Sequence, residues 1–210
     1  MKTKLSIVGL SLVLAACGGG GGGSSGGSPV ASSNMTVTPS LGQFSAGTAF
    51  TVKKLDGTSV SSGVIGSNGK VTVSMNGYTG SVVVTILGAV GVTYWDEGTG
   101  ANVLFPAPNT LRAVVPTPMA EVGVTALTNA AAAKLDAAGG IANATASAIS
   151  TANTQIAAMF GLPDILTAPT PVNTATPGLN IASAADKYAL VLAALAKSAT
   201  GGGNAMSVTA

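Results

Sequence analysis

Between residues 35 and 115 apolar and polar residues alternate in short runs rich in Val, Ile, Thr and aromatic side chains, the period of two that a half-buried strand requires. MTVTP, AFTVKKL, KVTVSM, SVVVTIL, VTYW, NVLF and LRAVV read as strands. The intervals hold LDGT, SNGK, NGYTG and DEGTG. Turn-forming clusters at such regular spacing predict an antiparallel β-sandwich rather than alternating strands and helices. Asp56-Gly57 and Asn68-Gly69 are the strongest hairpin signals, because both dipeptides tolerate positive φ.

The period then lengthens. VVPTPMAEVG, with its two prolines, predicts a connector, and VTALTNAAAAKLDAAGG predicts a helix capped by Thr125 and stopped at Gly139-Gly140. In ATASAISTANTQIAAMFGL, Ile149, Ala152, Ile156, Met159 and Phe160 fall at helical spacing, with Gly161 as the stop. A Pro- and Thr-rich stretch over 163–181 predicts an extended connector. The third helix starts at Ser183, with Asp186 three residues later as an approximate capping box, and Tyr188, Val191, Leu192 and Leu195 form its apolar stripe. The predicted class is α+β: a sandwich over 35–116, an Ala-rich region of about three helices over 117–200, and a flexible tail over 201–210.

One apolar run has neither period. Residues 5–16, LSIVGLSLVLAA, follow Lys2 and Lys4 and are too short to span a bilayer, which takes about 20 residues in a helix. A positive start, an apolar middle and small residues at the end make a signal peptide over 1–16. Leu14-Ala15-Ala16-Cys17 resembles the lipobox of bacterial lipoproteins. The resemblance implies that the Cys17 sulfur carries a diacylglyceryl group and that Cys17 becomes the N-terminus. In lipoproteins of double-membraned bacteria an Asp after the modified Cys tends to retain the protein at the inner membrane. Gly18 stands there, which implies the outer membrane. Two or three acyl chains make such an anchor stable where one is marginal. The six glycines and SSGGS that follow give the 17–34 segment the composition of a flexible tether, with an r.m.s. reach of about 20 to 25 Å. No GxxxxGK[ST] makes these glycines a phosphate loop.

Charged residues are 8% of the chain and aromatics 4%, so the core is aliphatic and the surface is Ser, Thr, Asn and Gly. The formal charge is +2, but two of the nine Lys and Arg belong to the leader, leaving seven positives against seven negatives. No basic patch points to nucleic acid. The chain has no His and one Cys, so the usual general base, the usual metal ligand and any internal disulfide are missing. G-x-S-x-G does not occur, and KSAT at 197–200 reverses the S-x-x-K order. The expectation is a protein with no catalytic residues, no metal and no cofactor.

YWDEGTGANV is the one locally distinctive stretch. Tyr94, Trp95, Asp96 and Glu97 place aromatic rings beside carboxylates at a hairpin tip, a combination that suits a calcium or carbohydrate ligand. The same residues also suit a polar turn with Tyr94 or Trp95 packed on a sheet face. Adjacent strand carboxylates point to opposite faces, which argues against paired acid and base chemistry.

GTAFTVKKLDGTSVSSGVIGSNGKVTVSMNGYTGSVVVTILG is similar to the carboxypeptidase-regulatory-like, or transthyretin-like, modules of bacterial surface lipoproteins, which implies an Ig-like or transthyretin-like sandwich. Thr110 to Val115, Val124 to Thr128, Ala157 to Leu162 and Tyr188 to Lys197 resemble the C-terminal part of the same group. Ala126 stands where that group often has Pro, and related chains continue beyond GGGNAMSVTA, so nothing is inferred past Ala210. The resemblance implies a lipid-anchored outer-membrane lipoprotein that acts as a non-catalytic binding or adhesion module. Its partners are the membrane, through Cys17, and a glycan or protein ligand. The alternative is a periplasmic structural or assembly lipoprotein whose helical half packs on a protein partner.

Overall fold

The computed structural model describes residues 33–199 apart from 174, 175 and 177. The leader, Cys17, nearly all of the Gly/Ser stretch and the tail lie outside the described residues. The fold is mixed α+β. Among the described residues nine strands, β1 (Asn34–Ser40), β2 (Ala49–Lys54), β3 (Ser59–Val64), β4 (Val71–Ser74), β5 (Val82–Leu87), β6 (Thr93–Asp96), β7 (Ala101–Leu104), β8 (Thr110–Val115) and β9 (Glu121–Thr125), precede three α-helices. These are α1 (Ala126–Ala137), α2 (Ala146–Met159) and α3 (Ala184–Ala199).

The strands form a three-stranded sheet in the order β4-β1-β9, a four-stranded sheet β3-β2-β5-β8 and a two-stranded ribbon β6-β7. Alternation works as the pattern requires: in β5, Val82, Val84 and Ile86 are buried while the residues between them are half-exposed. Inward residues of the two larger sheets, such as Met35, Val37, Val73, Val122, Phe50, Val52 and Leu111, belong to one core with Leu127 of α1 and Leu192 of α3. A smaller cluster, Val114, Ala132, Leu135, Ile149 and Ala152, joins β8 to α1 and α2.

The strand pairing departs from the sequence reading in three places. The pairs are antiparallel except at β1 and β9, which run parallel with Thr36 opposite Glu121 and Ser40 opposite Thr125. EVGVT is therefore a strand where the two prolines predicted a connector. It is buried from Val122 to Thr125, and the Gly123 N–H donates to the Leu166 carbonyl at 2.7 Å, which pins the Pro/Thr stretch along its outer edge. SVSSGV, unread in the sequence, is the edge strand β3. Ser59, Ser62, Gly63 and Val64 are exposed and no position is fully buried, so burial does not alternate along it. Asn68-Gly69 does make a turn, with Gly69 at φ 75° and the Lys70 N–H donating to Asn68 Oδ1. It carries the chain from one sheet to the other instead of closing a hairpin. A turn dipeptide sets local backbone direction, whereas the partner of β4 is chosen by burial of Val73 against Met35 of β1. Asp56-Gly57 closes the β2–β3 hairpin as expected.

The first helix starts where its sequence says. The Thr128 N–H donates to Thr125 Oγ1 at 3.2 Å and the Thr125 N–H to Thr128 Oγ1 at 2.8 Å, a reciprocal cap with Thr in place of the usual Glu or Gln. Thr125 Oγ1 also bonds the Tyr188 hydroxyl, which reaches the Ile165 carbonyl at 3.2 Å. One phenol thus ties α3, the connector and the start of α1 together.

Candidate functional site

The site begins with the short segment 43–45. The Trp95 N–H donates to the Gln43 carbonyl and the Ser45 N–H to the Thr93 carbonyl, both at 2.9 Å, so the segment lies along the edge of β6 that β7 leaves open. The pairing is antiparallel and centred on Phe44 and Tyr94. Side chains then alternate across this small ribbon. Phe44 and Tyr94 face the core, where they meet Phe105 with ring centroids 5.3 to 6.3 Å apart. Gln43, Ser45, Thr93 and Trp95 face outward.

Those outward residues line an open cleft of about 360 Å³ together with Asn102, Ser67 and Asn173. Asn102 is the cross-strand partner of Trp95, so indole and carboxamide stand side by side on one face. Asn173 Nδ2 donates to Gln43 Oε1, and the Gln43 N–H donates to the Val172 carbonyl at 3.1 Å. Two contacts therefore hold the connector against the segment that carries Gln43. Every residue that lines the cleft is uncharged. Its chemistry is one half-exposed indole among amide and hydroxyl groups that both donate and accept hydrogen bonds.

The four residues singled out in YWDE go to different places. Only Trp95 lines the cleft. Tyr94 is 1% exposed, and its hydroxyl finds no hydrogen-bond partner. Burial, with the Asp96 and Glu97 charges adding to it, pushes that phenol up to about 12. Asp96 is 2% exposed and closes the β6–β7 turn: Oδ1 accepts the Gly98 N–H at 3.0 Å and Oδ2 the Thr99 hydroxyl at 2.9 Å. Its oxygens are occupied within the turn, away from the indole. Glu97 is half-buried, and its Oε2 has no hydrogen-bond partner. The aromatic ring and the carboxylates do not form one platform, because strand alternation separates Trp95 from Asp96 and the turn carries Glu97 away. Sequence reasoning missed Gln43, Asn102 and Asn173. They come from three separate parts of the chain, and only Asn102 had a local signal, its register opposite Trp95.

Burial pushes Glu97 up from the ordinary 4.5 to about 7, with the Asp96 charge adding to the effect. The folded state therefore holds a proton that the unfolded chain has already released. This group's contribution to stability is complete below about pH 4.5 and is lost as pH rises through 7. Discounted for the part of the side chain that water reaches, the loss is on the order of 1–2 kcal/mol. Urea unfolding at pH 5 and pH 8 should show that decline in the wild type and a flatter response in Glu97→Gln. Equal declines in both would place the pH dependence elsewhere.

Among the described residues no helix is long and apolar enough to cross a membrane, and no group of three or more His, Cys, Asp or Glu side chains comes together as a metal site. No family model, no curated protein and no solved structure matches the chain. Its function is therefore argued from the motifs of its sequence and the geometry of this cleft.

Proposed function

We propose that the chain is a lipid-anchored lipoprotein of the outer membrane, attached through Cys17, whose folded part is a non-catalytic binding or adhesion module. We read its two larger sheets as a sandwich of the transthyretin-like or Ig-like kind. The cleft beside Trp95 carries the proposal: a concave, uncharged, hydrogen-bonding surface with an aromatic wall and, among its lining residues, no carboxylate or base to activate a nucleophile. Leu14-Ala15-Ala16-Cys17 and the glycines after it support the anchor and the tether. Replacing Cys17 tests it. Cys17→Ala is expected to abolish incorporation of labelled palmitate and to move the protein out of the membrane fraction. Label retained in the mutant would overturn the anchor.

A second reading, a periplasmic assembly lipoprotein, is favoured by one observation. An open groove of about 390 Å³ between α1 and α2 carries exposed Ala138 and Ala148 above the buried Leu135 and Ala152, a surface on which a protein partner could pack. Protease treatment of intact cells carrying a C-terminal epitope tag separates the two. Digestion fits a surface binding module, and protection until the outer membrane is permeabilised fits the assembly role.

A further inference from the structure

We infer that the cleft beside Trp95 binds a neutral glycan, with the apolar face of a sugar ring against the indole and its hydroxyls on Gln43, Asn102 and Asn173. This names the ligand class of the binding module proposed above and rests on that reading. Three features of the cleft select this ligand.

The first is charge. No Lys or Arg lines the cleft to meet a phosphate, sulfate or uronate, and no Asp or Glu lines it to meet a cation. A charged ligand entering it would lose water without gaining a counter-charge. The second is the pairing of groups. A sugar ring has an apolar C–H face and an equatorial rim of hydroxyls, each a donor and an acceptor. The cleft offers one half-exposed aromatic face, with carboxamides and the Ser67 and Thr93 hydroxyls around it, each able to act in both senses. At about 360 Å³ the cleft lies within the range of small-ligand sites, roughly 300–1,000 Å³.

The third feature is rigidity. Trp95 and Asn102 stand opposite each other in the β6–β7 ladder. Gln43 is fixed by both of its backbone bonds, to Trp95 and to Val172, and by its side-chain bond to Asn173. Polar groups held in place before the ligand arrives lose little freedom on binding, which is what a weakly hydrophobic ligand needs. Extended peptides are recognised chiefly by backbone groups along a sheet edge. Here the recognising groups are side chains on a sheet face, which favours the sugar.

Trp95 is the only Trp in the chain, so its emission reports the cleft directly. The full lipidated chain, in a zwitterionic detergent, is titrated with neutral oligosaccharides of glucose, galactose, mannose and N-acetylglucosamine, with a sialylated and a uronate-containing oligosaccharide and an extended peptide pool as comparisons. The expected result is a saturable change in emission with at least one neutral oligosaccharide. Asn102→Ala, at an exposed edge position, should weaken that binding about tenfold with circular dichroism unchanged. Trp95→Phe should keep part of the affinity and Trp95→Ala should lose it, both measured by calorimetry. No response to any neutral glycan at millimolar concentration, a response only to the anionic sugars or the peptides, or binding indifferent to Asn102→Ala would each overturn the inference. None of those outcomes touches the anchored binding module, which fails instead if Cys17→Ala stays in the membrane.

Discussion

Phe44→Ala is expected to lower folding stability by about 3–5 kcal/mol, read as a fall in the urea midpoint of the full chain. Phe44 is 1% exposed and is the middle ring of the cluster with Tyr94 and Phe105, edge-on to Phe105 at 5.3 Å. Removing it leaves a ring-sized cavity beside Tyr94 and Phe105 in a core made mostly of Val, Ile, Leu and Ala. Aromatics are scarce in this chain, and small aliphatic neighbours fixed by sheet hydrogen bonds cannot swing in to fill the space. Phe44→Leu should recover most of the loss, because it returns much of the volume. The same ring holds the segment whose outward side chains, Gln43 and Ser45, face the cleft, so Phe44→Ala should also shift the emission of Trp95 toward that of an exposed indole. A loss below about 1 kcal/mol would mean that the segment 43–45 is not anchored by its ring.

Gly42→Ala should be about as damaging for a different reason, at roughly 3 kcal/mol or more. Gly42 has φ 77°, and a Cβ built there would lie 2.1 Å from the Trp95 carbonyl oxygen and 3.2 Å from that of Val172. Two backbones press on this position, so relief requires moving β6 or the connector rather than rotating a side chain. Gly47→Ala is the matching comparison. Gly47 has φ 84° with nothing within 4 Å of its Cβ position, so its substitution reads the backbone conformation alone, about 1 kcal/mol. The difference between the two variants measures how tightly segment and ribbon are packed. Equal losses would mean that the close approach relaxes freely.

How far the sequence foretold all this depended on how local each signal was. The alternation of β5, the cap at Thr125 and the stop at Gly161 are written within a few residues of where they act, and they are found where they were expected. β3 escaped because its two valines are separated by Ser and Gly in an edge strand with no fully buried position. β9 escaped because Pro116 and Pro118 just before it resemble a linker and its burial depends on residues 163–172. The parallel pairing of β1 with β9 joins residues about 85 positions apart in the chain, and no short window contains both. The cleft divides in the same way. Trp95 drew notice as the only Trp, and Asn102 follows from the hairpin register. Gln43 and Asn173 lie 130 residues apart and meet only in the folded chain.

That long-range pairing also sets an order in time. β1 emerges first among the strands, yet its second neighbour does not exist until residue 125 has been synthesised. Its antiparallel neighbour β4 occupies only the N-terminal half of β1, from Asn34 to Val37, so Thr38 to Ser40 wait for β9. Chains whose sheets depend on such distant contacts fold slowly. On the export route proposed above, slowness would be useful: a chain that cannot complete its first sheet early would remain threadable while crossing a membrane and would close its core on the far side.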